Sequence, residues 1–382
     1  MPDRRIHSLY VHVPFCAHKC EYCAFYSHLP SAHLVDRYVD ALIREMEIVA
    51  PDLHPETVFF GGGTPSLLTM AQWGKIMQTM ARLNLAAPAE WTVECNPATV
   101  SAEKAKFLRE HGVTRISMGV QSLDENLLDK LGRVHSRDMV FRSFDILRAA
   151  GFDNINLDFM FGIPGQTLEM WQMTLHEAVN LAPEHLSCYE LTYEEDTRLY
   201  VQLQAGEISV DEELVCRMFE EWIALAQSAD YHQYEISNFA RVERDGVDRR
   251  CQHNVNYWRG GSFYGLGPSA AGYVGGARTK NWSNTQLYCE QLEEGRRAIE
   301  SVEQLSPLAR AGEIAAFGLR MNAGWPLAEF KRRTGFDLDL EWRAEIERLV
   351  ALDYGRFSSG RFSLTATGLR YADWVAEQFL RN

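Results

Sequence analysis

The feature that most constrains the fold of this chain is a pattern that recurs about every 30 residues from residue 8 onward. Each unit has a short β-rich run, a turn with Gly or Pro, and a stretch whose apolar residues recur at three- and four-residue spacing, as in an amphipathic helix. The predicted strands are 8–15, 57–63, 90–97, 115–122, 154–165 and 185–193. Six consecutive β–α units predict a parallel sheet, which either twists open in a doubly wound fold or curls into all or part of a TIM-type barrel.

Polar and reactive side chains lie where these predicted strands end. In both kinds of fold, ligands bind at the carboxyl ends of the parallel strands. The residues at these positions are Cys16, Gly61, Gly62, Gly63, Glu94, Gln121, Asp158, Glu190 and Thr192. One carboxylate or amide at a strand end is usually an ordinary rim residue. A series of them facing a cysteine-rich loop predicts a functional site.

The pattern divides the chain into three predicted segments: a β/α core (1–240), a Gly-rich connecting segment (241–299) and a small C-terminal domain (300–382). The polar, Gly-rich run from 240 to 281 predicts long loops. From about residue 300, three helical stretches, a hairpin around Ser359 and Gly360 and a closing helix follow the order of a winged-helix module. Such modules often bind DNA, but the acidic chain favours a packing or interaction role here.

Composition places the chain among globular proteins large enough to bury a core without disulfides. It has 382 residues, of which 46% are hydrophobic and 24% charged. The net charge of −14 argues against a general nucleic-acid partner. No secretory signal and no run near 18 apolar residues is found, so we expect a cytoplasmic protein that contacts the inner face of a membrane only if its partner is embedded there. Five of the eight cysteines are scattered, and most of these are predicted to be small buried hydrophobes.

Three cysteines, Cys16, Cys20 and Cys23, lie within eight positions with the spacing C-x3-C-x2-C. Three thiolates with His18 or His28 could hold a tetrahedral structural zinc. Alternatively, they could hold a 4Fe–4S cluster, whose complete set of ligands is four. Three ligands leave one iron open, as a cofactor-binding metal requires. The chain has no second C-x2-C pair, which favours the cluster over zinc.

The run CAHKCEYC resembles the cluster loop of the radical SAM superfamily, in which the open iron binds S-adenosylmethionine (SAM). The following GGGTPS is similar to the motif of that superfamily that contacts the methionine moiety. Within the superfamily, the chain resembles the oxygen-independent coproporphyrinogen III oxidase group over most of residues 8 to 375. The matching motifs, in order, are YVHVPFC, GGGTPS, VECNP, SMGVQS, LGRVHS and NLDFMFGIPGQT. The resemblance implies a partial TIM-type (β/α)6 barrel with a small C-terminal winged-helix-like α+β domain.

The resemblance also implies the roles of individual residues. Cys16, Cys20 and Cys23 would be the ligands of the 4Fe–4S cluster. The residues implied around the cluster-bound SAM are Tyr10, Tyr22, Gly62 and Glu94. The residues implied to line a second SAM-sized pocket are Gly63, Thr64, Gln121, Arg133, Asp158 and Thr192. Carboxylates can accept hydrogen bonds from amino and ribose hydroxyl groups, and an arginine can pair with a carboxylate.

Two further features separate the functional types within this group. The dehydrogenases typically carry a fourth cysteine two positions after the third, whereas this chain has Phe25 there. The dehydrogenases also have a longer segment before the cysteine loop than this sequence does. With Phe25 at this position, the loop resembles that of the HemW-type heme chaperones, which reads C-x3-C-x2-C-x-F. The run HNVNYW, from His253 to Trp258, is similar to the heme-binding motif of those chaperones, which implies that His253, Tyr257 and Trp258 bind heme. Imidazole is a common ligand of heme iron, and the aromatic side chains offer apolar faces to the macrocycle. The nearby arginines that could pair with the propionates are Arg249, Arg250 and Arg259.

These features predict a heme chaperone that binds heme, a 4Fe–4S cluster and SAM, and passes heme to apo-hemoproteins such as membrane respiratory enzymes. The cluster and SAM would then gate dimerisation or transfer, so a homodimer is one of the expected assemblies. The alternative is a radical SAM enzyme that decarboxylates the propionates of coproporphyrinogen III. A zinc-stabilised interaction protein is a third class.

Overall fold

A computed structural model describes residues 5–241 and 246–381. Within these residues the strands are β1 (Ile6–Val13), β2 (Leu53–Gly62), β3 (Glu90–Cys95), β4 (Arg115–Gln121), β5 (Ile155–Phe161), β6 (His185–Glu190), β7 (Tyr231–Gln233), β8 (Asn238–Arg241), β9 (Tyr264–Leu266), β10 (Ala271–Val274), β11 (Ala277–Asn281), β12 (Ile299–Gln304), β13 (Trp325–Pro326), β14 (Gly355–Ser358) and β15 (Arg361–Leu364). The helices are α1 (Ala32–Val49), α2 (Met70–Arg82), α3 (Ala102–Glu110), α4 (Glu125–Lys130), α5 (Arg137–Ala149), α6 (Leu168–Asn180), α7 (Arg198–Gln204), α8 (Glu212–Ser228), α9 (Gln252–Trp258), α10 (Thr285–Glu293), α11 (Pro307–Leu319), α12 (Leu327–Thr334), α13 (Leu338–Glu341), α14 (Arg343–Ala351), α15 (Ala366–Arg370) and α16 (Ala372–Phe379).

Strands β1 to β6 lie side by side in chain order, and every neighbouring pair among them is parallel. The sheet does not close on itself in the described part of the chain. The free edge of β1 pairs with β9, and the free edge of β6 pairs with β8, which β7 extends. The predicted partial (β/α)6 barrel is therefore confirmed.

The two faces of this sheet differ in chemistry. In β1, Leu9, Val11 and Val13 belong to the main apolar core, and the helices that connect the strands contribute the other side of that core. The alternate residues of each strand point to the inner face of the open barrel, because side chains alternate along a strand. That inner face is polar and buried, as Ser8, Glu90 and Arg115 illustrate. The partial barrel thus encloses a polar lumen.

The connecting helices begin where the sequence supplies capping side chains. Thr69 and Gln72 form a reciprocal capping box at the start of α2. Side chains of Ser101, Ser136 and Thr167 accept hydrogen bonds from the first turns of α3, α5 and α6. These caps satisfy backbone N–H groups that have no partner inside the helix. They place each helix start just beyond the loop that leaves the preceding strand.

A second apolar core lies in the C-terminal part of the chain and includes Trp325, Trp342 and Phe362. Its order is α11, β13, α12, α13, α14, the hairpin β14–β15, and then α15 and α16. The small sheet has the strand order β13-β15-β14. Ser359 and Gly360 both have positive φ, as a two-residue hairpin turn requires. This arrangement confirms the predicted winged-helix-like domain.

The long loops predicted between residues 240 and 281 are shorter than expected. This stretch contains α9, β9, β10 and β11, while residues 242–245 lie outside the described residues. The short elements form through distant partners: β9 pairs with β1, more than 250 positions earlier, through Leu9 and Tyr264. The predicted segment boundaries stay predictions, and residues 1–4 and 382 of those segments also lie outside the described residues. No helix in the described ranges is both long enough and apolar enough to cross a membrane.

Candidate functional site

The three clustered cysteines lie on the loop that joins β1 to α1, at the carboxyl end of the parallel sheet. The loop is closed at its base because the Cys16 N–H donates to the His28 carbonyl (3.1 Å) and the His28 N–H donates to the Pro14 carbonyl (2.9 Å). The Cys23 N–H donates to the Cys20 carbonyl (3.2 Å), which folds the second half of the loop into a turn. All three thiols are free and half-buried.

Donor groups from two other loops reach these sulfurs. Thr64 Oγ1 lies 3.6 Å from Cys16 Sγ, and Arg133 Nη1 lies 3.4 Å from Cys20 Sγ. Arg133 is itself held by a hydrogen bond to the Gly119 carbonyl (2.6 Å). A hydroxyl and a guanidinium thus stand as hydrogen-bond donors beside two of the three sulfurs. The structure therefore brings Thr64 and Arg133 to the cysteine loop.

The donor set fits an iron–sulfur cluster. In the described residues, no group of three or more His, Cys, Asp or Glu side chains is arranged to hold a metal ion. A tetrahedral zinc needs four ligands that converge on one ion, whereas a 4Fe–4S cluster places each thiolate on a separate iron. Burial raises the pKa of the Cys23 thiol, so the metal must displace a proton there. Three soft sulfur donors on one loop are the ligands that such a cluster uses.

The far end of the cysteine loop is fixed to α10 through Thr285. The Thr285 N–H donates to Tyr26 Oη (2.9 Å), and His28 Nε2 lies 2.8 Å from Thr285 Oγ1. The His28 ring also packs edge-on against Phe15, with ring centroids 5.0 Å apart. Residues that the spacing of the cysteines does not reveal thus position the loop. From the sequence, His28 was considered only as a zinc ligand, whereas in the structure its ring forms a hydrogen bond with Thr285.

The glycines after β2 are required by close contacts. Gly62 has a φ of 100°, and a Cβ there would lie 2.3 Å from the His12 ring. A Cβ on Gly63 would lie 2.6 Å from the Val13 carbonyl oxygen. The Gly62 N–H donates to Glu94 Oε2 (3.1 Å). Only glycine lets β2 approach the cysteine loop and the end of β3 this closely.

Glu94 and Asp158 face one another in the upper lumen. Burial and, to a smaller extent, the Asp158 carboxylate raise the pKa of Glu94, which reaches about 8 although the Gly62 N–H and Arg115 oppose the shift. Burial also raises the pKa of Asp158, which accepts hydrogen bonds from Asn156 Nδ2 (2.8 Å) and Ser117 Oγ (3.2 Å). Glu94 therefore holds a proton at neutral pH. A cationic ligand group placed beside it would displace that proton.

The other residues predicted to bind SAM are placed unequally. Gln121 has a φ of 70° at an irregularity of β4, and its amide oxygen accepts a hydrogen bond from Tyr189 Oη (2.8 Å). Tyr10 Oη lies 3.0 Å from His12 Nδ1. Tyr22 is half-buried, and burial raises its phenol pKa. Thr192 is exposed beyond the end of β6, and no hydrogen bond of its side chain is found in the described residues.

The predicted heme ligand His253 is buried, with 1% of its surface exposed. Nδ1 lies 2.9 Å from Thr57 Oγ1, and Nε2 lies 2.7 Å from Tyr257 Oη. Because Thr57 donates its own hydroxyl to Ser8, it accepts from Nδ1–H, which leaves the Nε2 lone pair to accept from Tyr257. Burial and, to a smaller extent, the charge of Arg115 together lower the pKa of His253 to about 3. The imidazole is therefore neutral, but both of its nitrogens have partners.

Helix α9, which carries HNVNYW, lies at the opposite end of the lumen from the cysteine loop. Glu90, the first residue of β3, accepts hydrogen bonds from the N–H groups of Gln252 (2.9 Å) and His253 (3.0 Å). Tyr257 packs against Phe263, while Trp258 lies near Phe317 of α11. The structure thus separates the predicted heme residues from the predicted cluster ligands.

Several lumen residues were not predicted from the sequence. Arg115 at the start of β4 is 2% exposed, and it acts electrostatically on Glu94, His253 and Asp158. Glu90 and Thr57 hold α9. A usable signal was present, because polar residues at every second position of a strand inside a parallel sheet indicate a polar inner face.

Comparisons with known proteins agree with this architecture. The model of the Radical SAM superfamily matches residues 10–178, and that of the HemN C-terminal domain matches residues 305–371. "Heme chaperone HemW" of Bacillus subtilis is 38% identical over 87% of this chain and 88% of its own length. The protein of the same name from Escherichia coli is 34% identical over 98% of both chains.

The chain belongs to the HemW family. A further HemW, from Lactococcus lactis, is 32% identical over 98% of this chain and 97% of its own length. Among solved structures, the chain is similar to the coproporphyrinogen III oxidase HemN from Escherichia coli. The TM-score is 0.83, and the match covers 99% of this chain and 91% of that chain. At 22% identity, that similarity shows the shared fold alone. The radical SAM match implies a 4Fe–4S cluster and SAM as cofactors of HemW proteins.

Proposed function

We propose that this protein is a heme chaperone that holds a 4Fe–4S cluster and SAM in its β/α core and delivers heme to apo-hemoproteins such as membrane respiratory enzymes. The observation that carries the proposal is similarity over nearly the whole chain to relatives named heme chaperones. The sequence features that separate this type from the dehydrogenases support it. Phe25 stands where the dehydrogenases typically have a fourth cysteine, and its side chain is 67% exposed.

The residues around the cysteine loop have distinct tasks in this proposal. Cys16, Cys20 and Cys23 hold the cluster, and Arg133 and Thr64 donate to two of the sulfurs. When bound, the cluster offers an open iron to SAM and can supply an electron to it. Glu94 gives up its proton when the amino group of SAM lies beside it, because the new positive charge stabilises the carboxylate. The left-handed Gly62 keeps that side of the pocket free of a Cβ.

His253 would bind heme iron through Nε2. The neutral imidazole has the protonation state that iron ligation requires. In the structure, however, the Nε2 lone pair accepts from the Tyr257 hydroxyl, so iron binding must break this one hydrogen bond. Heme binding at His253 would therefore be accompanied by movement of α9, since the side chain is almost fully buried.

A second candidate function is oxygen-independent oxidation of coproporphyrinogen III. The observation that favours it is the match of residues 305–371 to the HemN C-terminal domain, beside the radical SAM match of residues 10–178. The two candidates differ in a measurable way. The chaperone binds heme with saturation and leaves the propionates intact, whereas the dehydrogenase consumes SAM and decarboxylates them.

The test uses one anaerobically reconstituted preparation of the full chain. Hemin titration is followed by absorbance for wild type, His253→Ala, Tyr257→Phe and the control His111→Ala, which changes an exposed histidine at the end of α3. We expect saturable binding by wild type and the control, and a shifted Soret band with weaker binding in His253→Ala. Tyr257→Phe should bind about five-fold more tightly, because it no longer competes for Nε2.

The same preparation is then given coproporphyrinogen III, SAM and a reductant, and products are measured by mass spectrometry. Heme transfer is measured with the apo-form of a b-type cytochrome. Decarboxylated product together with no saturable hemin binding would replace the chaperone by the dehydrogenase. Equal hemin spectra and affinities for wild type and His253→Ala would remove His253 as the iron ligand.

A further inference from the structure

A cluster of arginine side chains lies next to the carboxyl end of α9, away from the cysteine loop. Arg259 Nη1 donates to the Gly324 carbonyl (2.8 Å), and Arg361 Nη1 lies 3.5 Å from the same oxygen. Arg361 Nη1 also donates to the Ala323 carbonyl (2.6 Å), and Arg333 Nη1 donates to the Arg259 carbonyl (2.7 Å). Backbone carbonyls thus hold three guanidinium groups from three distant parts of the sequence close together.

These cations lack acidic partners in the part of the chain that the structure describes. No carboxylate oxygen of the described residues lies within 4 Å of the Arg259, Arg333 or Arg361 side chain. Burial lowers the pKa of Arg259, and the neighbouring arginines lower it further against the opposing effect of Glu329. Holding like charges together costs free energy that a bound anion would recover. The arginine cluster is thus a local positive patch on a chain whose net charge is −14.

A groove of about 680 Å³ lies at one side of this cluster, on the outer face of the β14–β15 hairpin. Its lining includes Asn322, Arg356, Phe357, Ser358, Arg361 and Ser363. The pairs Arg356–Ser363 and Ser358–Arg361 stand opposite each other across the hairpin. Guanidinium, hydroxyl and amide donors thus line one face, while Phe357, which is 50% exposed, supplies an apolar side. The volume lies in the usual range of roughly 300 to 1,000 Å³ for small-molecule sites.

The arginines that the sequence placed beside the heme motif are mostly committed elsewhere. Arg249 donates to the Asp153 carbonyl (3.0 Å), and Arg250 pairs with Asp248 through Nη2 (2.5 Å). Arg259 alone among the three lies in the arginine cluster beside the groove, where it shares the Gly324 carbonyl with Arg361. The structure replaces the other two with Arg361 and Arg356, which lie about 100 positions later in the sequence.

We propose that this groove, here called the wing groove and comprising Asn322, Arg356, Phe357, Ser358, Arg361 and Ser363, binds the propionate carboxylates of heme. The inference rests on the proposed chaperone function and adds a site for the carboxylate edge of the ligand. Arginine is suited to this role because its planar fork binds a carboxylate through two hydrogen bonds. The wing groove adjoins Arg259, the residue after the heme motif, so a ligand held there lies beside α9.

The test is a comparison of two ligands on the full-length protein. Hemin has free propionates, and hemin dimethyl ester has the same macrocycle with both carboxylates masked. Each is titrated into wild type, Arg361→Gln, Arg356→Gln and the control Arg82→Gln, which removes one positive charge from the surface of α2. No hydrogen bond or ion pair of the Arg356 side chain is found in the described residues, so Arg356→Gln should fold normally. Thermal unfolding checks all four proteins.

We expect Arg361→Gln and Arg356→Gln to raise the hemin Kd about tenfold and to leave the ester Kd unchanged, while Arg82→Gln changes neither. Saturable hemin binding by wild type with the same affinity in both wing-groove variants would overturn this inference and leave the chaperone proposal intact. An equal loss for hemin and ester would also overturn it, because the arginines would then not act on the carboxylates. No saturable hemin binding by wild type would overturn the proposed function itself.

Discussion

At the residue scale, two titratable groups of the lumen, Glu94 and His253, are held uncharged at neutral pH. Glu94 has a pKa of about 8 and His253 one of about 3, and burial is the main cause of both shifts. Each shift favours the neutral form at pH 7, because a buried charge without enough partners is costly. The apo-protein thus stores protonated and neutral groups that can change state when a charged ligand enters. This property makes ligand binding and proton release linked events.

Glu94→Gln should make stability less dependent on pH. The folded pKa of about 8 exceeds the ordinary value of 4.5, so the folded protein binds more protons between these values and loses stability as pH rises. A fully enclosed carboxyl would give roughly 5 kcal/mol, but Glu94 keeps some solvent contact, so we expect about 2 kcal/mol. Urea unfolding of cluster-free protein at pH 5 and pH 8 measures this loss.

The control for this measurement is Glu110→Gln, which changes an exposed carboxylate at the end of α3. It should lose as much stability between the two pH values as wild type does. If Glu94→Gln shows the same loss as wild type, Glu94 does not hold the proton that its surroundings favour.

At the scale of elements, α9 depends on a residue that lies about 160 positions earlier. Cys251, its N-cap residue, makes no capping hydrogen bond to the helix. The Glu90 carboxylate instead accepts from the first two N–H groups of α9. A negative charge at the start of a helix also interacts favourably with the helix dipole. Strand β3 therefore fixes both the position and the first turn of the helix that carries the heme motif.

Glu90→Gln should loosen α9 without unfolding the barrel. The amide keeps the shape of the side chain but loses the charge and one acceptor, which we expect to cost about 1.5 kcal/mol. Hydrogen exchange read by mass spectrometry should then be about tenfold faster in peptides covering 251–258. The matched control Glu103→Gln, in the first turn of α3, should leave that region unchanged. Unchanged exchange in Glu90→Gln would show that α9 is held by other contacts.

The order of the main elements could be predicted from the sequence because it follows from local patterns. The strand predicted at 115–122 is observed at Arg115–Gln121, and the one predicted at 185–193 ends earlier, at Glu190. Strands β9 to β11 were missed: β9 pairs with the distant strand β1, and β10 and β11 form a short hairpin with little apolar pattern of its own. A Gly-rich sequence of three to five residues per strand carries too little periodicity to reveal them.

The residues of the candidate site likewise differ in whether the sequence could predict them. The cysteines and the glycines after β2 could be predicted because their chemistry depends on spacing along one loop. The partners of His253 could not, because Thr57 and Glu90 come from other strands. The wing groove could not be predicted either, since the backbone carbonyls of Ala323 and Gly324 hold Arg361 beside the distant Arg259. The assignments of SAM-binding and heme-binding residues stay predictions that ligand-bound measurements must test.

At the scale of the whole molecule, the proposed sites lie at two ends. The cysteine loop is at the carboxyl end of the parallel strands, while α9 contacts the first residues of β3. The C-terminal domain covers α9 from the other side, since a Cβ on Gly260 would contact Ile314 of α11. Helix α9 is thus held between the lumen and the C-terminal domain. The two proposed ligands would therefore not compete for space.

Removing the cluster ligands should accordingly spare the binding of heme. In the triple variant Cys16→Ala, Cys20→Ala and Cys23→Ala, we expect iron and sulfide content to fall to background, with the hemin Kd within two-fold of wild type. Iron analysis, sulfide analysis and hemin titration measure these quantities. A control in which the exposed Cys216 is changed to Ala should keep both properties. A loss of hemin affinity in the triple variant alone would show that the two ends are coupled or that the cysteines contact heme.

The outermost strands of the nine-stranded sheet, β7 and β9, are each three residues long. Short edge strands expose few unpaired backbone N–H and C=O groups. Two copies of the chain therefore gain little by continuing the sheet from one molecule into the next. Self-association is therefore expected to use surfaces other than the edges of this sheet. An open barrel built in this way remains protected from irreversible edge-to-edge aggregation.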